Sequence, residues 1–136
     1  MPMRTKAFFD TNVLIYAVAE NDPRAARSEQ LLANGGVISV QVLNEFTSVA
    51  RRKLDMSWDE VREALTAIRI LCPDAVAVTV ATHDTGLKIA EDYGYGIYDA
   101  LIAASALEAK CATLYSEDLQ NGQVIEGSLR VRNPFV

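Results

Sequence analysis

Short runs rich in β-branched and aromatic residues alternate with helix-patterned stretches along this chain, and that alternation constrains its fold more than any other feature. Thr5 to Phe9, Val37 to Val40, Ala75 to Val80, Ala112 to Tyr115 and Ser128 to Arg132 read as strands bounded by turn-forming residues. Between them, Asp22-Pro23 supplies a cap and a first-turn proline for a helix to about Asn34, which Gly35-Gly36 stop. Gln41 to about Leu54 places Val42, Phe46, Val49 and Ala50 at helical spacing. The clearest helix is Ser57 to Cys72, where Ser57 and Glu60 form a capping box and Pro73 ends the run. Its apolar positions Val61, Ala64, Leu65, Ile68, Leu71 and Cys72 fall on one stripe. Two further helices are expected over about Thr82 to Asp92 and Tyr98 to Lys110. Such alternation predicts an α/β fold with a short, mostly parallel central sheet sandwiched between helices.

No linker, repeat or composition break divides the 136 residues, so one domain spanning residues 1–136 is expected. At 50% hydrophobic and 23% charged residues, such a chain holds a core without disulfides or a structural metal. The two cysteines, Cys72 and Cys111, sit among apolar residues and read as buried free thiols. Met1 to Lys6 carries no charged-then-apolar leader pattern, and no apolar run reaches the ~18 residues a bilayer span requires. A soluble cytoplasmic protein is therefore expected.

A net charge of −5 argues against a nucleic-acid partner held by basic residues alone. The exception is an acidic site that holds divalent cations, whose charge inverts the local electrostatics. In open parallel sheets ligands bind beyond the carboxyl ends of the strands. Asp10 follows the first strand and Asp118 the fourth, so both belong on that edge. Glu45 lies one turn into the helix leaving the second strand, at the border of its apolar stripe. Asp99 falls in the first turn of the helix that leads back to the fourth strand, where the helix N-terminus favours the ionised form.

Four acids converging without basic partners raise one another's pKa, and a hard divalent cation relieves the repulsion. His83 is the only histidine, which disfavours histidine-based acid catalysis, a Ser-His-Asp triad or a histidine-rich zinc site. Metal-assisted phosphodiester hydrolysis is the chemistry left. Taken one at a time, each acid also has a plain reading: Asp10 as a turn former or helix cap, Asp99 as an N-terminal helix acid, Glu45 as a solvated helix residue, Asp118 as a loop acid.

Other residues carry two readings. Arg51-Arg52-Lys53 is either charge complementing a helix C-terminus or an RNA-backbone contact. Tyr16 and Trp58 either stack on bases or pack in the core or at a dimer face. No phosphate-cradling G-x-x-x-x-G-K-[ST] or G-x-G-x-x-G is present.

The segments Phe9-Asp10-Thr11-Asn12-Val13-Leu14-Ile15-Tyr16, Asn44-Glu45, Tyr98-Asp99-Ala100-Leu101-Ile102-Ala103-Ala104, Ser116-Glu117-Asp118-Leu119 and Asn133-Pro134-Phe135 together resemble the PIN-domain ribonucleases, and most closely their VapC-type toxins. They follow the family's order over essentially the whole chain. The resemblance implies a PIN-like three-layer α/β/α sandwich and a Mg²⁺- or Mn²⁺-dependent endoribonuclease, selective for single strands, whose acidic ligands are Asp10, Glu45, Asp99 and Asp118. Thr11 and Asn12 look like residues that hold Asp10, and Ser116 like the hydroxyl that orients the last acid or a water. Glu117 ranks below Asp118 as a ligand because the motif aligns the latter. It further implies a homodimeric toxin with a cognate antitoxin whose tail covers the acidic groove and sets an arginine against it. A structure-specific DNA nuclease and a non-catalytic PIN-like scaffold binding RNA or protein are the alternatives.

Overall fold

Phe8 and Phe9 are fully buried, and they form the strand around which the sheet is built. The computed structural model describes residues 6–136; Thr5, the expected first residue of that strand, lies outside them. β1 (Ala7–Phe9) pairs in parallel with β2 (Val37–Ser39) on one side and β4 (Thr113–Tyr115) on the other. β3 (Asp74–Val76) extends the sheet beyond β2, and β6 (Leu129–Arg132) extends it beyond β4. A two-residue β5 (Val124–Ile125) closes the far edge antiparallel to β6, giving the order β3-β2-β1-β4-β6-β5. The sheet is thus mostly parallel and flanked by helices, and its inner strands read as unbroken apolar runs because both faces are covered. Among the described residues no helix is long and apolar enough to cross a membrane.

The helices are α1 (Thr11–Val18), α2 (Ala25–Ala33), α3 (Val40–Arg52), α4 (Trp58–Leu71), α5 (Val80–Tyr93) and α6 (Ile97–Glu108). α1 packs on α2 and α3, and α4 touches α2 and α3, whereas α5 and α6 form a tight pair. That pair closes on Gly86, where a Cβ would stand 2.8 Å from Leu101 Cδ2. A second close approach occurs where Gly36 meets the Phe9 ring ahead of β2.

The capping box of α4 is present in full: Ser57 Oγ accepts from the Glu60 amide at 3.1 Å and Glu60 Oε1 from the Ser57 amide at 2.9 Å. Val61, Ile68 and Cys72 are buried along its stripe, but Leu71 is exposed. Cys72 and Cys111 are buried free cysteines, and burial pushes both thiols up to about 11.

Three elements differ from the sequence expectation. The strand expected over Ala75–Val80 ends at Val76, and Thr79 caps α5 through a reciprocal bond with Thr82. Cap satisfaction outweighs the strand preference of Val80, which is left exposed. α1 was not anticipated, because β-branched Thr11, Val13, Ile15 and Val18 give an apolar run whose period does not separate helix from strand. β5 is too short to carry a pattern. Its turn is set instead by Glu126 and Gly127, both at positive φ, with the Ser128 amide bonded to Ile125 O at 3.2 Å.

Candidate active site

The strand order reverses beside β1: the chain adds β2 and β3 on one side and returns to add β4 on the other. A crevice forms beyond the carboxyl ends of the two strands flanking such a switch point. Phe9 is level with Tyr115, and the Asp10 amide continues the ladder to Tyr115 O at 3.0 Å. Asp10 and the Ser116-Glu117-Asp118 turn therefore leave the sheet side by side.

Asp10 caps α1. Its Oδ1 accepts from the Thr11 amide at 2.7 Å and its Oδ2 from the Ser116 hydroxyl at 2.8 Å. The plain reading of Asp10 as a helix cap and its place among the acids are both realised, by separate oxygens. Ser116 Oγ also accepts from the Asp118 amide at 3.2 Å, so one buried hydroxyl sets both acids. Asn12 holds Asp118 rather than Asp10, its Nδ2 donating to Asp118 Oδ2 at 3.0 Å.

Glu45 sits half-buried on the second turn of α3. Its Oε2 accepts from the Thr11 hydroxyl at 3.1 Å and its Oε1 from Gln41 Nε2 at 2.6 Å. Gln41 Nε2 also reaches Tyr98 O at 3.0 Å, tying the start of α6 to the start of α3. Asp99, one residue on, is thereby held at the carboxyl edge.

Burial is the first cause of every resolved shift among these acids. It pushes Asp10 up to about 6, against the lowering effect of the Ser116 and Thr11 bonds, with Asp118 and Asp99 adding to the rise. Asp99 is raised by burial, then by Asp118 and Glu45. Asp118 is raised by burial, then by Glu117 and Glu45. Asp10, Asp99 and Asp118 thus each feel neighbouring acids as expected, but desolvation outweighs that repulsion. For Asp99 it also outweighs the preference of a helix N-terminus for the ionised form.

None of the four forms an ion pair among the described residues. Glu117 does: its Oε1 accepts from the Tyr16 hydroxyl and its Oε2 lies 3.5 Å from Arg24 Nη1. Adjacent acids are thus turned apart, Asp118 to Asn12 and Glu117 to Tyr16, which stands one helical turn beyond Asn12. The Arg24 guanidinium lies 3.6 Å over the Tyr16 ring, and Phe135 packs edge-on against that ring at 5.2 Å. Burial and the Glu117 bond push the Tyr16 hydroxyl up to about 12. Tyr16 packs, then, as part of the rim.

Sequence reasoning missed Gln41, whose signal was its i,i+4 spacing to Glu45, and the role of Arg24, which no local pattern announces. Arg51, Arg52 and Lys53 are not brought to the acids. They are exposed at the far end of α3, roughly 10 Å of helix rise past Glu45. Arg51 donates to Met56 O at 2.8 Å and lies 4.4 Å over Trp58, which is exposed rather than in the core. A cavity of about 420 Å³ lies toward the amino edge of the sheet, between Phe9, Leu31, Gly36 and Pro73, and none of the four acids lines it.

All-oxygen donors without a counter-cation, one of them desolvated, match a hard divalent cation in chemistry. Among the described residues no three His, Cys, Asp or Glu side chains already stand close enough to enclose one. Glu45 is instead turned onto Gln41 and Thr11, and Asp118 onto Asn12.

The PIN domain family profile matches residues 7–123. No curated protein matches the sequence. Among solved structures, a toxin–antitoxin complex from Klebsiella pneumoniae is similar at a TM-score of 0.72 and 19% identity, covering 95% of this chain and 98% of that one. VapC20 of Mycobacterium tuberculosis, a Sarcin-Ricin loop cleaving toxin, is similar at 0.64 and 19% identity, over 82% and 88%. VapBC2 of Rickettsia felis, bound to a DNA fragment from its promoter, is similar at 0.67 and 20% identity, over 95% and 100%. At these identities the likeness is one of fold, whereas the profile match spans most of the sequence: the chain belongs to the PIN domain family.

Proposed function

We propose that this protein is a divalent-cation-dependent endoribonuclease and the toxin of a VapBC-type pair. The observation that carries this reading is the set Asp10, Glu45, Asp99 and Asp118, electrically coupled at the switch point and without a cationic partner among the described residues. Asp10, Glu45, Asp99 and Asp118 would hold Mg²⁺ or Mn²⁺. When bound, such an ion supplies an activated water and offsets charge on the phosphodiester.

The chain's own residues have separable tasks. Ser116 and the Thr11 amide fix the two oxygens of Asp10, which keeps its side chain in one orientation inside a buried wall. Thr11 and Gln41 hold Glu45 facing α1, and Asn12 holds Asp118 at the open side. The acids keep an RNA backbone away until a cation is present, since phosphate and carboxylate repel.

Structural neighbours that are toxin–antitoxin complexes support a cognate antitoxin as partner, and the VapC20 likeness supports RNA as substrate. A homodimer in the cytoplasm completes the reading. The test is cleavage of a labelled RNA pool with Mg²⁺, with Mn²⁺ and with EDTA, beside Asp10→Asn and Asp99→Asn and a matched DNA pool. Metal-dependent cutting of RNA, lost in both variants, is the expected result. Cutting of DNA alone overturns the substrate class. No cutting, in protein shown to be folded and to bind Mn²⁺, overturns the nuclease reading in favour of a binding scaffold. A complex with the product of the neighbouring gene on size exclusion is expected, and its absence overturns the antitoxin assignment.

A further inference from the structure

The ribonuclease reading leaves open how an acidic chain grips its substrate, and Arg24 is the cation that pairs with an acid of the Ser116-Glu117-Asp118 turn. Arg24 sits ahead of α2, its Nε and Nη2 donating to the two oxygens of Asp22 at 3.0 Å each. The Asp22 carboxylate also accepts from the Arg24 amide at 2.8 Å, so the pair is closed into a single turn. Stacking on Tyr16 fixes the guanidinium plane. Of five N–H donors, two are spent on Asp22. The rest lie on Nη1 and Nη2, where the one further partner among the described residues is Glu117, at ion-pair rather than hydrogen-bond distance. The side chain is 39% exposed. Arg51, by contrast, is engaged by Met56 and Trp58 at the far end of α3.

We propose that Arg24 is the RNA-backbone contact of this site, taking the phosphate next to the one that is cut. The inference rests on the ribonuclease reading and names the residue that positions its substrate. Glu117 follows Ser116 and precedes Asp118, so the Nη1 group faces the acid next in sequence to the acidic set, and a strand lying over the four acids would carry a neighbouring phosphate toward it. A phosphate offers several oxygens to the fixed fork of donors, and it competes with Glu117 for Nη1. Because Asp22 and Tyr16 already hold the side chain, little rotamer freedom is left to lose on binding. Arg24 is a positioning residue: it touches the strand but not the reacting atoms.

The experiment is the salt dependence of binding of a labelled single-stranded RNA oligonucleotide, read by fluorescence anisotropy in otherwise wild-type protein with Ca²⁺, another oxygen-binding divalent cation, in place of Mg²⁺, and with the oligonucleotide checked on a gel to be uncut. Arg24→Ala is expected to weaken binding and make the log–log salt slope shallower by about 0.7, the value for one phosphate contact on a single strand. Arg24→Lys should keep the slope but bind less tightly, and Arg51→Ala should leave both unchanged. Glu117→Gln should tighten binding in the parent but not beside Arg24→Ala. In otherwise wild-type protein Arg24→Ala should raise KM and leave kcat unchanged. Binding by Arg24→Ala with an unaltered slope, or equal tightening by Glu117→Gln with and without Arg24, overturns the proposal alone. No RNA binding by the parent at any salt overturns the ribonuclease reading as well. Should Arg24→Ala not fold, Arg24→Gln, which removes the charge and keeps most of the side-chain length, takes its place in the same comparisons with the same expected and overturning results.

Discussion

The Ser116 hydroxyl donates to Asp10 Oδ2 at 2.8 Å, joining the carboxyl ends of the two strands that flank the switch point. The same oxygen accepts from the Asp118 amide, so Ser116 lowers the pKa of one acid while fixing the backbone of another. Ser116→Ala removes a hydrogen bond to a charged group, worth about 1.5–3 kcal/mol, and so should raise Asp10 by about one to two further pH units. In a pH–rate profile of cleavage the acid limb is expected to move to higher pH by that amount. An unmoved limb would mean that Asp10 is not the group whose ionisation is read.

Asp10 also makes a stability prediction. Its pKa in the folded chain, about 6, is raised from 3.8, so the folded state binds a proton more readily than the unfolded one. The resulting penalty is absent below about pH 4, grows between 4 and 6, and is fully present above 6. Its size is roughly 3 kcal/mol at pH 7.5 without a divalent cation. Asp10→Asn should therefore melt higher than wild type at pH 7.5 and alike at pH 4. Mg²⁺ should narrow the gap at pH 7.5 by stabilising wild type alone. Thermal melts of both proteins at the two pH values, with and without Mg²⁺, check this.

Gly36 is required by proximity. A Cβ there would stand 2.4 Å from Phe9 Cε2, 2.8 Å from Cζ and 3.0 Å from Ala7 O. Gly36→Ala is expected to destabilise by about 1–3 kcal/mol, the cost of forcing the Phe9 ring and the Ala7 backbone away from β2. Phe9→Leu removes the ring and should recover part of that loss in the double variant. Urea unfolding of the two single variants and the double variant measures the coupling.

Much of the fold was legible because its signals are local. The capping box at Ser57 and Glu60, the proline at position 73 and the Gly35-Gly36 stop each fix one boundary. What escaped depends on distant partners. α1 has strand-like composition and is helical because Asp10 caps it and Val13, Leu14 and Ile15 find the core. β5 exists because β6 offers an edge. In the site, Asp10 and Asp118 were read from strand ends and Glu45 and Asp99 from their places near the starts of helices, whereas the Gln41–Tyr98 bond that ties α6 to α3 joins residues 57 apart. Arg24 and Glu117 are as remote in sequence, and their pairing has no signature in either segment.

Two hydroxyls lie buried without a hydrogen-bond partner among the described residues, Ser28 Oγ on α2 and Ser105 Oγ on α6. A buried orphan costs about 1–3 kcal/mol, so Ser28→Ala and Ser105→Ala should each stabilise the protein by up to that amount. Both sit away from the acids, and cleavage should be unchanged. A loss of stability in denaturant melts would instead reveal a bound water at that hydroxyl.

The contact of Phe135 with Tyr16 has a practical side. Arg27 Nε donates to Pro134 O at 3.2 Å, and Asn133 bonds to Asn121 and to the Phe135 amide, so residues 133–135 are laced down to the rim. Val136 beyond them is exposed. An affinity tag fused there would emerge beside the Tyr16–Phe135 contact, on the rim of the acidic site, and a polyhistidine tag would bring its own metal ligands with it. Assays of cation dependence on such a fusion would report the tag's ligands together with the four acids.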